Sequence, residues 1–362
     1  MGVVDFGMPH ADELNMTTNV ETLPLLDFRR IDGNAEERDA FLGELRAAAR
    51  GPGFFYLTGH GIPQPLIDDV LHLSRRFFDL PEQDKLAIEM VNSPHFRGYN
   101  RAGFEHTRGK PDWREQVDIG AEKPALPLAP SAPAWKRLQG PNQWPAALPE
   151  FRLVLLRYQE EITRLGIRVL SAFARALGQK ADVFEPIYTP APNQLIKIVR
   201  YPGRDTQEGN QGVGAHKDSG FLTLLLQDVR SGLQVEGEHG WIDAPPIPGT
   251  FVVNIGEILE LASNGYLRAN VHRVVSPPPG TDRLSVPFFL GARLDAEVPL
   301  LQLPPDLAAE ARGLTQDPLN PLFRDVGRNY LKSRLRSHPD VARRHHADLV
   351  DTTKPLEPAS AY

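Results

Sequence analysis

Residues 212–228 read GVGAHKDSGFLTLLLQD, a stretch in which a histidine and an aspartate precede a short apolar run. On an extended strand, residues i and i+2 project from the same face, so we expect His216 and Asp218 to converge. The run that follows them, bounded by glycine and aspartate, predicts a buried β-strand. An imidazole and a carboxylate on one face are the beginning of a metal site without thiolates.

The surrounding sequence, from Gln194 to Leu290, also has the pattern of short β-strands. It consists of short apolar or alternating runs separated by Gly, Pro and Asp, and we predict no helix between them. Such spacing indicates a β-sandwich or barrel. Before it, apolar residues recur at helical spacing from Leu155 to Phe173, which predicts a long scaffold helix ending near Gly178.

The N-terminal part mixes helices and strands. We predict a short strand in PLLDF (24–28), a helix from about Glu36 to Arg50, and a buried strand at Phe54–Tyr56. Pro65 can open the next helix at its first turn. Seven prolines between Lys123 and Pro149 exclude regular structure there, and Trp135, Leu138 and Trp144 indicate a loop anchored on the surface. A further helix is predicted over about 321–336.

Composition excludes several classes of function. The 362 residues carry 40 Lys and Arg against 46 Asp and Glu, a net charge of −6 that gives no basic surface for nucleic acid or anionic membranes. The absence of cysteine excludes disulfides, thiolate zinc sites and iron–sulfur clusters. The sequence shows neither a transmembrane run nor a signal peptide. We therefore expect a cytoplasmic protein that binds a small-molecule substrate, with no prediction of its oligomeric state.

A third metal ligand and an anion site follow later in the chain. His272, in NVHRVVSP, can complete a set of two histidines and one carboxylate, the arrangement of non-haem Fe(II) oxygenases. In RLS, Arg283 and Ser285 alternate onto one strand face, where guanidinium and hydroxyl together suit a carboxylate. A metal with an organic acid held beside it forms a co-substrate site.

Simpler structural roles compete with these assignments. The two histidines and the aspartate could form a buried hydrogen-bonded network without a metal, and Arg283 could pair with Asp282. Two further groups have both a functional and a structural interpretation. A glycine-punctuated loop could line the substrate mouth through Arg97, Tyr99, Arg101 and Phe104. His345 and His346 resemble a metal-binding run, but a solvated face is more typical of such a polar terminal segment.

The motifs together resemble the isopenicillin N synthase-like branch of the Fe(II)/2-oxoglutarate-dependent oxygenases. The resemblance rests on HKDSGFLTLLLQD (216–228), GWIDAPPIPGTFVVNIGEILELASNG (240–265) and HRVVSPPPGTDRLSVPFF (272–289), and on GFFYLTGHGI (53–62) and DWREQVDIG (112–120) in the N-terminal part. It extends from about residue 23 to 345. It implies a mainly β fold with flanking helices, in which a double-stranded β-helix (jelly-roll) core follows a helical N-terminal region.

The resemblance also implies cofactors and roles. Fe(II) would be held by His216, Asp218 and His272, and 2-oxoglutarate by Arg283 and Ser285. Tyr201, in VRYPG, matches a tyrosine that often assists with the same carboxylate, although a packed core tyrosine is an equal alternative. The expected reaction consumes O2 and oxidises a small organic substrate, by hydroxylation or by desaturation or cyclisation, with release of succinate and CO2.

Four positions depart from the family's usual pattern. They are Lys217, Val199, Glu257 and Ala269, in place of the common Thr, Asn, Asp and Ser. Lys217 is expected to point away from the metal, and Val199 removes one possible polar contact to the co-substrate. None is a proposed ligand, but the four departures weaken any transfer of substrate identity from plant or fungal relatives.

These assignments give a domain division and two functional alternatives. We divide the chain into a flexible N-terminal extension (1–22), an N-terminal helix and strand region (23–125), a Pro-rich loop (126–148), a scaffold helix with the jelly-roll core (149–320) and a C-terminal helix and tail (321–362), all one catalytic unit. One alternative function is an Fe(II) oxidase or oxidative cyclase of the isopenicillin N synthase type that needs no 2-oxoglutarate. The other is a non-catalytic jelly-roll binding module.

Overall fold

The computed structural model describes residues 22–205, 209–314 and 321–350, and within these ranges the chain forms fourteen strands and nine α-helices. The strands are β1 (Leu25–Asp27), β2 (Phe54–Thr58), β3 (Gly98–Asn100), β4 (His106–Thr107), β5 (Lys110–Pro111), β6 (Glu115–Gly120), β7 (Asn193–Pro202), β8 (Gln211–His216), β9 (Leu222–Gln227), β10 (Leu233–Gly237), β11 (Gly240–Asp243), β12 (Phe251–Ile255), β13 (His272–Val275) and β14 (Asp282–Gly291). The helices are α1 (Ala35–Arg50), α2 (Gln64–Phe78), α3 (Glu82–Leu86), α4 (Pro149–Ala176), α5 (Glu185–Tyr188), α6 (Glu257–Ala262), α7 (Pro305–Glu310), α8 (Val326–Ser337) and α9 (Pro339–His345). The extension proposed at 1–22 lies, except for its last residue, outside the described residues.

Two sheets face each other and form the predicted jelly roll. The larger has the strand order β1-β2-β12-β9-β14-β7-β6-β3 and the smaller the order β11-β10-β13-β8. Except for the parallel β1–β2 pair, the strands within each sheet pair antiparallel. Apolar side chains from both sheets meet in one cluster, which includes Tyr56, Val199 and Val252 from the larger sheet and Val213, Val235 and Val274 from the smaller.

Helices cover the outer face of the larger sheet, so that its strands are buried on both sides. In β2, Phe55 and Leu57 pack into the helix-side core, whereas Phe54 and Tyr56 belong to the cluster between the sheets. Burial on both faces explains why this strand reads as a continuous apolar run rather than an alternating one. The larger sheet is therefore the middle layer of three.

The helices follow their sequence signals closely. In α1, Asn34 and Glu37 form a reciprocal capping box, so the helix begins one residue before the predicted start. The long helix α4 buries the predicted stripe from Leu155 to Phe173. It ends just before Gly178, whose φ of +69° suits glycine. No helix in the described part of the chain has the length and apolar character needed to cross a bilayer.

Two predictions about helices were wrong. The β-region contains a helix, α6, because Ile258, Leu259 and Ala262 in GEILELASNG are buried at helical spacing. The C-terminal helix α8 begins at Val326 rather than near residue 321, since Asp325 provides the N-cap by accepting a hydrogen bond from the Arg328 amide. A second helix, α9, follows it.

The histidine pair at the end of α9 is not a solvated face, which corrects the simpler expectation for it. His346 is 1% exposed and stacks on Phe96 with 5.1 Å between ring centroids. His345 contacts the Val91 carbonyl through Nε2 at 2.9 Å. Aromatic stacking thus ties the C-terminal segment to the N-terminal region.

The Pro-rich stretch is anchored as predicted. Leu138 is buried, and Trp135 and Trp144 pack against the main core. A short 3₁₀ helix at Ala134–Leu138 interrupts the irregular backbone.

Candidate metal centre

The three predicted ligands come together where β8 ends and β13 begins. His216 and His272 are directly paired across these two strands. Nε2 of His216 lies 3.5 Å from Oδ1 of Asp218, and Nε2 of His272 lies 3.7 Å from the same oxygen. One donor atom from each residue lies within 4.8 Å of the other two. Three donors this close can bind a single metal ion.

Asp218 reaches the centre by a route that the sequence did not indicate. We expected it to share a strand face with His216, but β8 ends at His216 and Asp218 lies in the following loop. The start of α6 holds this loop, because the Glu257 amide donates to the Asp218 carbonyl at 2.8 Å. The helix missing from the sequence prediction therefore positions the carboxylate.

Hydrogen bonds leave one donor atom of each ligand free. Oδ2 of Asp218 accepts from the Thr223 hydroxyl at 2.5 Å and from the Asn254 amide at 2.8 Å, so Oδ1 remains. Nδ1 of His216 contacts the Gly214 carbonyl at 2.8 Å, and Nδ1 of His272 contacts the Asn270 carbonyl at 3.2 Å. Both Nε2 atoms therefore face the centre, as in metal sites whose ligands are oriented by outer hydrogen bonds.

Sequence reasoning missed Thr223 and Asn254. Both lie on inward-facing positions of neighbouring strands, since Thr223 of β9 pairs with Asn254 of β12. The available signal was a polar residue interrupting each apolar run, LTLLL and FVVNI. Their meaning depends on the strand order, which the runs do not specify.

The pKa values of the ligands favour metal binding. Burial alone would raise the pKa of Asp218, but its interactions with His272 and His216 and the Asn254 hydrogen bond lower it overall. Burial, aided by the neighbouring His216, lowers the pKa of His272 to about 4. At neutral pH the centre presents a carboxylate and a neutral imidazole at His272, the forms that coordinate metals.

Arg283 has the properties of a buried anion site. The residue is fully buried, and its Nη2 donates to Oε1 of Gln227 at 2.7 Å while its Nε donates to the Arg230 carbonyl at 3.2 Å. Its Nη1 has no hydrogen-bond partner among the described residues. A buried guanidinium with a free N–H group is a strong donor for a carboxylate. The Asp282 pairing considered above does not occur, since Asp282 pairs with Arg75.

Ser285 and Tyr201 adjoin Arg283 on the same sheet. Ser285 follows Arg283 by two positions on β14 and is buried, so both face the smaller sheet. Tyr201 is paired with Arg283 across β7 and β14, and its ring centroid lies 5.1 Å from the guanidinium carbon. The tyrosine therefore packs against the arginine and also belongs to the core cluster.

The four departures lie outside the ligand set. Lys217 points away from the centre, with Nζ 3.4 Å from Glu260. Val199 joins the cluster between the sheets, directly across from Ser285, and Ala269 is buried. Glu257 is buried, and its backbone amide donates to Asp218 as described above.

The predicted substrate mouth is only partly assembled. Arg97 lines a cleft of about 450 Å³ that also includes Asn193, the first residue of β7. Tyr99 faces the helix-side core instead, where its hydroxyl donates to Glu115 at 2.6 Å. Arg101 pairs with Glu89 at 2.7 Å, and Phe104 is exposed. A role at the mouth stays a prediction for Arg97, Arg101 and Phe104, and it is wrong for Tyr99, which is buried in the helix-side core.

The donor set fits ferrous iron and an organic acid. Two imidazole nitrogens and one carboxylate oxygen match the facial set that leaves open positions on Fe(II). The free Nη1 of Arg283 supplies a partner for the distal carboxylate of a chelating co-substrate.

Comparisons with known proteins agree with this chemistry. The chain matches a family model described as "non-haem dioxygenase in morphine synthesis N-terminal" over residues 23–147 and one described as "2OG-Fe(II) oxygenase superfamily" over residues 192–292. It is 40% identical over 338 residues to a 2-oxoglutarate-dependent dioxygenase of Dothideomycetidae sp. (strain 11243), an alignment that covers 89% of this chain and 91% of the relative.

Further relatives extend the comparison to solved structures. A homoarginine-6-hydroxylase of Arabidopsis thaliana is 35% identical over 305 residues, which cover 81% of this chain and 84% of that enzyme. A Neurospora crassa protein crystallised with alpha-KG and thymine superposes with a TM-score of 0.70 at 26% identity, covering 91% of this chain and 98% of that one.

Proposed function

Because the chain belongs to the 2OG-Fe(II) oxygenase superfamily, we propose that it hydroxylates a small organic molecule at a ferrous centre held by His216, Asp218 and His272. The balanced reaction converts substrate C–H, O2 and 2-oxoglutarate into substrate C–OH, succinate and CO2. Three convergent donors and a buried guanidinium carry the assignment, and Nη1 of this guanidinium has no partner in the described part of the chain. Hydroxylation is supported by the name of the Arabidopsis relative, and a small-molecule substrate by the thymine bound to the Neurospora protein.

The residues have separate tasks in this proposal. When bound, iron with 2-oxoglutarate supplies the oxidising chemistry that the side chains lack. Thr223 and Asn254 fix the orientation of Asp218, and the carbonyls of Gly214 and Asn270 fix the two imidazoles. Arg283, supported by Gln227, would orient the distal carboxylate, with Ser285 beside it.

A turnover assay tests the proposal. With Fe(II), 2-oxoglutarate and O2, the protein should form succinate and CO2 in equal amounts, and omission of any one of the three should abolish this. Ala in place of His216 or Asp218 should abolish succinate formation, whereas Ala in place of the exposed His239, in the β10–β11 turn, should not. Succinate formation that survives both substitutions would contradict the metal assignment. The cytoplasmic location, the domain division and the absence of nucleic-acid and membrane partners stay predictions.

A further inference from the structure

A group of buried charged side chains lies between the larger sheet and the C-terminal helix α8. Lys197 Nζ lies 2.7 Å and 3.0 Å from the two carboxylate oxygens of Glu105 and 3.9 Å from Asp118. Arg334 of α8 donates to Asp118 at 2.7 Å. We call these four residues the charged cluster. All four are at most 8% exposed.

Sheet register places two residues of the charged cluster, Asp118 and Lys197, on the same inner face as the metal centre. Asp118 of β6 is paired with Lys197 of β7, two positions along the strand from Leu195. Leu195 pairs with Phe289 of β14, which in turn pairs with Thr223, a hydrogen-bond donor to Asp218. Inward-facing residues follow one another about every 7 Å along a strand, and neighbouring strands lie about 5 Å apart. Lys197 therefore lies two strands away from Thr223 and is displaced from it by one row of inward-facing residues.

Polar contacts connect the charged cluster to His216. Arg114 lies 2.9 Å from Glu105 and 3.3 Å from Asp112. Oδ1 of Asp112 accepts from the Gly214 amide at 3.0 Å, and the Gly214 carbonyl contacts Nδ1 of His216. These contacts thus connect Glu105 of the charged cluster to His216, a proposed metal ligand.

Helix α8 closes the other side of the charged cluster. Tyr330 and Arg334 lie four residues apart and so share one face of α8, and His338 directly follows the end of the helix. The Tyr330 hydroxyl lies against Gly291 and Gly220, the latter two residues beyond Asp218. Nε2 of His338 lies 3.1 Å from Arg334 and 3.7 Å from Glu105. The buried polar groups therefore extend from Gly214 in β8, beside His216, to the C-terminal end of α8.

The arrangement is costly for a purely structural role. Taking ions out of water costs several kcal/mol each, and apolar residues of similar volume commonly stabilise a fold as well as a buried ion pair does. Several buried atoms of residues next to the charged cluster also lack a hydrogen-bond partner among the described residues. They are Gln116 Oε1, Arg114 Nε and His338 Nδ1. Buried donors and an acceptor without a protein partner can form hydrogen bonds with a polar ligand.

The charges of the charged cluster and of the adjoining Asp112 and Arg114 balance. Three carboxylates face three cations, since Glu105, Asp112 and Asp118 lie among Lys197, Arg114 and Arg334. Burial lowers the pKa of His338 to about 4, so this histidine adds no charge at neutral pH. A ligand with a single charge would leave an uncompensated ion inside the protein, and a neutral polar ligand would form hydrogen bonds here without using the paired charges. A ligand with one positive and one negative group can exchange partners with the ion pairs and keep the site neutral.

We propose that the charged cluster is the recognition site for the substrate, and that this substrate is a zwitterion of the free amino acid type. Its carboxylate pairs with Lys197 and Arg334, and its ammonium group pairs with Glu105 and Asp118. This places a carbon–hydrogen bond of the substrate toward the metal centre, whose Thr223 lies one inward-facing row and two strands from Lys197. The inference rests on the proposed function and adds the class of substrate.

A substrate panel tests the inference. Succinate formation is measured with Fe(II) and 2-oxoglutarate and with each free L-amino acid singly, including L-ornithine and L-homoarginine. For any active amino acid, the N-acetyl derivative and the decarboxylated amine serve as matched analogues, and thymine serves as a neutral probe. At least one free amino acid should raise succinate formation above the substrate-free rate. Its two analogues should lose about 30-fold or more in kcat/KM, the low end for removing one partner of a buried charge pair.

A matched pair of lysine variants separates recognition from stability. Lys85 is as buried as Lys197 and lies 3.3 Å from Glu115, a residue paired with Arg200 on the adjacent strand. Lys197→Met should raise the KM for the active amino acid about 30-fold or more, whereas Lys85→Met should leave this KM unchanged. Thermal unfolding of both variants reports any common loss of stability.

The contradicting outcomes are distinct. The inference is wrong if no free amino acid raises succinate formation, if thymine or the N-acetyl derivatives serve as well, or if both lysine variants lose activity equally. Absence of any 2-oxoglutarate binding by the Fe(II) protein would instead contradict the proposed function itself.

Discussion

At the scale of single residues, the hydrogen bonds to Asp218 determine how its carboxylate is presented. Thr223→Val removes the 2.5 Å hydrogen bond to Oδ2 while keeping nearly the same side-chain volume. We expect Fe(II) affinity to fall about 10- to 100-fold, the usual effect of losing an outer hydrogen bond at a metal site. Anaerobic Fe(II) titration measures this. Thr163→Val, which removes a buried hydrogen bond within α4, is the control, and equal affinity in both variants would count against a role for Thr223.

Arg283 is the second residue whose substitution gives a sharp prediction. Arg283→Met removes the only charged donor proposed for the distal carboxylate of 2-oxoglutarate. We expect the KM for 2-oxoglutarate to rise about 30-fold or more, because a buried charged partner is lost. Arg273→Met, which changes an arginine lying over Trp241, is the control for loss of a partly buried arginine. An unchanged KM in Arg283→Met would show that the co-substrate binds elsewhere.

At the scale of elements, the junction between α8 and α9 makes stability depend on pH. Burial lowers the pKa of His338, the residue between these helices, to about 4, and the groups facing it are Glu105, Arg334, Lys197 and Asp118. The unfolded chain takes up a proton near pH 6.5, whereas the folded chain does so only near pH 4. The contribution of the neutral histidine is therefore complete above pH 6.5 and is lost as pH falls toward 4.

The corresponding prediction concerns the unfolding free energy of the metal-free protein. It should fall by roughly 1.4 kcal/mol for each unit of pKa difference at His338, and His338→Gln should flatten the curve between pH 6.5 and 4. Chemical denaturation at several pH values measures this. A variant whose pH dependence matches that of the original protein would assign the effect to other histidines, among them His272.

At the scale of the whole molecule, the sequence predicts the layers better than the contacts between them. The apolar runs predict the strands, and the spacing of His216, Asp218, His272 and Arg283 predicts a metal beside an anion site. The apolar runs are local signals. The two histidines, the aspartate and the arginine are a combination of residue types that few other sites share. The start of α1 and the burial of α4 follow for the same reason, since capping and helical periodicity act within a few residues.

Contacts that depend on strand order could not be predicted. Thr223 and Asn254 reach the same oxygen only because β9 and β12 are neighbours in the sheet. The charged cluster draws its residues from the segment before β4, from β6 and β7, and from α8, so no window of sequence contains it. Tyr99 was misplaced because the pairing of β3 with β6 decides which sheet face it occupies.

The most direct test of the central claim is anaerobic titration of Fe(II) followed by 2-oxoglutarate, monitored by visible absorption. We predict one Fe(II) per chain, and a charge-transfer band on addition of 2-oxoglutarate that reports bidentate chelation. Asp218→Ala should lose both the iron and the band, while circular dichroism shows that it remains folded. A wild-type protein that binds no Fe(II), or an Asp218→Ala variant that keeps the band, would contradict the account.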